Sequence, residues 1–272
     1  MYISRTVLPV LIALLIFSLG CTVQSRYKTR SFLTEEELEK VNESYLGPKE
    51  TDEEEEAEIE PFLEGLTGPV VRVNTLEILA EDIRELYEYL ASTTNEDPLT
   101  LKQRACMEWI QTYAVMSQWP DKIHVAIERL EDIRLRVAQG ADFEGLIVEN
   151  SQEADAEFRK GDLGVFERRD KEAILEMHAF QDPLNQLSQP FPTVIGWHLL
   201  QVLERDTDIP NKPTVHAREL LLYHGLDPNN KQDIQSNYIR WTNLADIELL
   251  SDELNDILPQ YAKRRPEESS EE

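Results

Sequence analysis

Apolar positions recur along this chain with two different periods. In GPVVRVNTLEILAEDIRELYEYL (68–90), Val70, Val71 and Val73 suggest a short strand and Asn74-Thr75 a turn, after which Ile83, Leu86, Tyr87 and Leu90 share one helical face. A second helix fits 99–118, with Ala105, Trp109, Ile110 and Tyr113 on one side, until Trp119-Pro120 interrupts it. A third fits 122–140, where Ile127, Leu130, Ile133 and Val137 line one face and Gly140 stands where a left-handed cap belongs. These apolar positions, Trp109, Tyr113, Ile83 and Leu86 among them, read as core. A glycine-punctuated KGDLGVF (160–166), a helical EAILEMHAF (172–180) and two strand-like runs, GWHLLQVLER (196–205) and VHARELLLYH (215–224), follow. The stretch 233–258 reads as one or two amphipathic helices and the tail YAKRRPEESSEE as polar. Helices ahead of a mixed helix–strand unit predict an α+β protein.

Composition narrows the function. The formal net charge of -26 argues against nucleic acid, since phosphate binding needs Lys and Arg to displace counterions. Much of that charge sits in ETDEEEEAEIE (50–60), which reads as part of a solvated tether over 21–67, with one possible short helix at 34–46. At the N-terminus one basic residue, the apolar TVLPVLIALLIFSLG and a small residue before Cys21 describe an export signal over 1–20. Gly20-Cys21 resembles the bacterial lipobox, which implies acylation of Cys21 and a lipid anchor in the cell envelope. Thr22 follows that cysteine instead of aspartate, which by the resemblance to lipoproteins implies the outer membrane, periplasm-facing. Cys106 then has no partner and reads as a small core residue. No zinc-like cysteine or histidine cluster is present, so neither a metal nor a cofactor is expected.

At QGADFEGLIVENSQEADAEFRKGDLGVF (139–166) and HAFQDPLNQLSQPFPTVIGWHLLQV (178–202) the chain resembles the parvulin peptidyl-prolyl isomerases over 121–205. Residues 69–118 are similar to the N-terminal chaperone segment of SurA-type periplasmic foldases. The implied layout is a chaperone-like segment at 68–120, a parvulin-like domain at 121–224, and C-terminal helices with a polar tail at 225–272. In the family a strand precedes the helix that ends in Gly-Ala-Asp-Phe, and no strand fits there in this chain. VHARELLLYH resembles that missing strand, which suggests a circularly permuted domain with its first strand at 214–223. The alternative is the remnant of a second parvulin repeat.

The resemblance also implies a site. His198 matches the family's last-strand histidine, Glu219 stands where its first-strand partner would be, and Thr193 matches the supporting threonine. Glu153 falls near the position that faces the substrate carbonyl, with Asp155 competing for it. Lys171 and Leu175 align with the methionine and phenylalanine of the proline pocket, and Phe180 with its second aromatic. His216 and His224 read as surface or edge residues; His124 and His178, at helix ends, receive no chemistry. The implied function is isomerisation of X-Pro bonds in unfolded exported polypeptides. The alternative is a parvulin-like chaperone or scaffold module without catalysis.

Overall fold

The computed structural model describes residues 59–207 and 212–262. The possible helix at 34–46, the tether as far as residue 58, the export signal and Cys21 lie outside the described residues. Strands β1 (Pro69–Val73) and β2 (Leu76–Leu79) form a hairpin over Asn74, whose φ of 53° is one that asparagine tolerates. Helices α1 (Ala80–Thr93), α2 (Pro98–Met116) and α3 (Pro120–Ala138) follow. Asp97 caps α2 by accepting from the Thr100 N–H, and proline at the first position starts both α2 and α3, where its missing N–H costs no bond. Gly140 ends the third helix at φ 96°. The short α4 (Phe143–Asn150) and α5 (Ala156–Arg159) lead to β3 (Asp162–Glu167), α6 (Ala173–Gln181), β4 (Phe191–Pro192), β5 (Gly196–Asp206) and β6 (Thr214–Tyr223). Helix α7 (Asn230–Leu244), strand β7 (Ile247–Leu249) and a 3-10 turn (Asp252–Leu254) are the last elements among the described residues.

The larger sheet is antiparallel with the order β3-β6-β5-β4, so the late strand β6 is central. Its two faces pack differently, as period-2 alternation requires. Trp197, Leu199, Leu220 and Leu222 meet Leu130, Ile133, Phe143 and Ile147 of α3 and α4. Leu200, Val202, Val215 and Ala217 face Phe166, Ile174, Leu175 and Met177, in a core shared with α1 and α2.

Three expectations need correction. The ordered region starts before residue 68: Phe62 and Leu63 are buried, and the Tyr87 hydroxyl donates to the Glu60 carbonyl. The stretch 233–258 is helical only to Leu244; residues 247–249 pair with β1 as the third strand of the smaller sheet, order β2-β1-β7. Finally, the C-terminal part is no separate appendage. Leu254 and Leu258 are buried in the same core as Ile83 and Leu86, and Trp241 meets Trp119 edge-to-face at 5.4 Å. Without β7 the backbone of β1 would present an open edge on that side, a hazard that the pairing removes.

Candidate active site

The β5–β6 register pairs Leu200 with Glu219 and His198 with Leu221, placing His198 and Glu219 diagonally on one face. Both side chains are buried. His198 Nδ1 lies 2.6 Å from Glu219 Oε2, and its Nε2 lies 2.9 Å from Thr193 Oγ1. An ionised Glu219 only accepts, so Nδ1 carries the proton and Nε2 accepts from the Thr193 hydroxyl. The Thr193 oxygen in turn accepts from the Ile195 N–H, at 3.3 Å. Both imidazole nitrogens, the Thr193 hydroxyl and Glu219 Oε2 thus have partners, and a buried network so satisfied favours one geometry.

Thr193 is itself held from two sides. Its N–H donates to the Gly196 carbonyl, and its own carbonyl accepts from His224 Nε2 at 2.7 Å. His224 is therefore a buried strut and not the surface residue expected; burial pushes its imidazole down to about 4, so it stays neutral. Phe191 on β4 stacks on His178 (centroids 3.8 Å apart) and lies nearly parallel to His198, its cross-strand neighbour (5.3 Å). His178 is anchored to the Asp182 carboxylate at 3.2 Å.

The far half of β6 explains where Glu153 sits. Beyond the reach of β3, the N–H groups of Glu219, Leu221 and Tyr223 still need acceptors. The Gly161 carbonyl, Ser151 Oγ and Gln152 Oε1 supply them, at 2.8, 3.3 and 2.7 Å. The segment after α4 is thereby laid along β6, and Glu153 comes within electrostatic reach of Glu219. Burial, then repulsion from Glu219 and Asp155, pushes its carboxyl up to about 7 against the opposing pull of Lys231.

Gly161 makes that approach possible. At φ 73°, a Cβ there would lie 2.1 Å from the Glu219 carbonyl oxygen. Gly164 has nearly the same φ, 70°, and open space around it. Gly161→Ala should therefore cost about 3 kcal/mol or more, from left-handed strain plus the backbone clash. Gly164→Ala, with strain alone, should cost about 1 kcal/mol. Urea unfolding of the two variants checks this, and equal losses would remove the close approach as the cause.

The remaining candidates line the α6 side of the sheet. Leu175 and Phe180 are only 6% and 8% exposed, and Lys171 Nζ stands over the Phe166 ring at 5.4 Å. Sequence reasoning missed Phe191, His178 and His224. The i, i+4 spacing of His178 and Asp182 was a usable signal for one of them; a two-residue strand between prolines gives none for Phe191.

The Rotamase family model, the PPIC-type PPIASE domain, matches residues 114–204. The chaperone SurA of Xylella fastidiosa is 34% identical over 82 residues, which are 30% of this chain and 18% of that protein. The chaperone SurA of Bordetella pertussis is 40% identical over 101 residues, 35% of this chain and 19% of that protein. The foldase protein PrsA of Halalkalibacterium halodurans is 33% identical over 78 residues, 29% and 23% of the two chains. The chain thus spans about a fifth of the length of the curated relatives it matches. No solved structure matches it significantly. Residues 114–204, which hold Thr193 and His198, thus match a peptidyl-prolyl isomerase domain of the PPIC, or parvulin, type.

Proposed function

We propose that this domain binds proline-containing segments of unfolded polypeptides and isomerises their X-Pro bonds, as a circularly permuted parvulin in which β6 serves as the first strand. The carrying observation is the buried chain Thr193–His198–Glu219, with the Phe191 ring nearly parallel to the imidazole and Glu153 beside it. The X-Pro barrier of about 18–20 kcal/mol falls when the twisted amide is favoured over the planar one. Twisting moves charge from the carbonyl oxygen back to nitrogen. An ionised Glu153 near that oxygen raises the energy of the planar amide, whereas a protonated one would hydrogen-bond to it and stabilise it. Export and lipid anchoring at Cys21 complete the reading, with exported polypeptides as clients in the cell envelope. Among the described residues no helix is long and apolar enough to cross a membrane.

One observation favours the rival reading, a binding module without catalysis. Leu175 and Phe180, which would touch the proline ring, are already covered by the protein's own side chains. An exchange-NMR isomerisation assay on the full chain decides between the two. Under the first reading the rate rises with pH through about 7 as Glu153 ionises, and Glu153→Gln is slow and flat. The same carboxyl has a folded pKa above its ordinary value. Its contribution to stability is therefore present below about 4.5 and lost as pH rises through about 7. No rate above background from folded protein, across several peptides, selects the binding module.

A further inference from the structure

Lys171 is a poor wall for a proline ring, yet its placement is not casual. The turn between β3 and α6 reads Glu167-Arg168-Arg169-Asp170-Lys171, three cations in a chain where 53 acidic residues outnumber 27 basic ones. Arg169 takes φ 77°, and Asp170 closes the turn by accepting from the Glu167 N–H at 2.9 Å. Two cations of the turn then lie on aromatic rings of the candidate pocket. Arg168 Cζ stands 5.3 Å from the Phe180 centroid and 6.0 Å from that of Tyr89, while Lys171 Nζ stands over Phe166. Phe166 and Phe180 meet edge-to-face at 6.3 Å, which joins both cations to one apolar cluster containing Leu175 and Phe191.

Neither cation has a carboxylate partner among the described residues. The nearby acids are engaged elsewhere. Glu176 accepts from the Tyr89 hydroxyl and the Lys171 N–H, and Asp170 is turned into its own loop. Arg168 Nε is buried without an acceptor. A guanidinium and an ammonium held on rings, half-buried and without anions, present donors that an incoming carboxylate can satisfy. The net charge of -26 opposes any acidic ligand at long range. That repulsion is screened beyond about 10 Å at 0.1 M salt, while a contact pair is not.

We infer that Arg168 and Lys171 form a carboxylate subsite, so that the preferred ligand carries Asp or Glu next to its proline. This rests on the prolyl-site reading above and names its substrate class. The test is equilibrium binding of three matched peptides, Glu-Pro, Gln-Pro and Lys-Pro, to the full chain by NMR titration, with isomerisation measured on the same samples. Glu-Pro should bind about fivefold tighter than Gln-Pro at 0.1 M salt, the effect of a charge-assisted contact discounted for exposure. The ratio of Glu-Pro to Gln-Pro affinity should fall to about one in Arg168→Gln/Lys171→Met, whatever that variant does to the affinity both peptides share, and the charge reversal Lys171→Glu should favour Lys-Pro. Thermal unfolding of each variant verifies that it is folded. Equal binding of Glu-Pro and Gln-Pro, or a preference that survives the double variant, overturns the subsite even if isomerase activity is present. If no peptide binds, the subsite and the prolyl-site reading fall together. If Glu-Pro is preferred but never isomerised, the subsite stands and only catalysis is lost.

Discussion

Truncation after Asp206 should leave a chain with no cooperative unfolding transition. The family-matched segment ends at residue 204, yet the sheet's central strand begins at Thr214. Removing β6 deprives β3 and β5 of their shared partner and opens two edges at once. It also strips Val215, Ala217, Leu220, Leu221, Leu222 and Tyr223 from the core, all of them buried. At roughly 1.5–3 kcal/mol for each large side chain, that loss is about 10 kcal/mol, as large as the whole stability of an ordinary domain. The same cut removes β7 and α7, so β1 loses its neighbour as well. Circular dichroism through a urea titration reads the result. A sharp transition from the truncated chain, with a slope like the parent's, would mean that β6 completes nothing and that the permuted arrangement is wrong.

Much of this was legible because local pattern and tertiary packing agree. Ile83, Leu86, Tyr87 and Leu90 repeat at helical spacing and are buried together. The hairpin of β5 and β6 could be read from alternation on both sides of a proline loop, whereas the pairing of Glu219 with His198 was implied by the resemblance alone; the register sets the two diagonally on one face. The failures share a cause. β7 is three residues long, in a stretch with helix-forming neighbours, and its partner β1 lies more than 170 residues earlier. No local period reports so distant a partner. β2 was missed because four residues, one of them the exposed Leu79, run straight into α1. Burial of Phe62 and Leu63 was masked by the acidic stretch immediately before them. At the site, the residues that carry the resemblance were found and the residues particular to this chain were not. Phe191 beside two imidazoles, His224 under Thr193 and Arg168 on Phe180 depend on side chains brought together by the fold, with no spacing rule to announce them.

Glu219→Leu should destabilise the protein by about 3 kcal/mol, and adding His198→Leu should recover most of that loss. The single change leaves Nδ1–H of a fully buried imidazole without an acceptor, and an orphaned buried donor costs its desolvation in full. The double change removes both polar partners and fills the space with aliphatic atoms, a replacement that is often neutral or stabilising. The Thr193 hydroxyl loses a partner too, but it keeps the Ile195 N–H at 3.3 Å, so its share is small. Glu219→Gln is the gentler control. Its amide oxygen can accept from Nδ1–H as the carboxylate does, with the neutral acceptor the weaker one; about 1 kcal/mol is expected. Urea unfolding of these three variants and of His198→Leu alone measures this, and a double-variant loss equal to the sum of the Glu219→Leu and His198→Leu losses would show that the two residues do not act as a pair. If the double variant is as stable as the parent yet no longer isomerises a Pro peptide, packing alone cannot be why an imidazole and a carboxylate occupy that core, and their place in it is owed to the reaction.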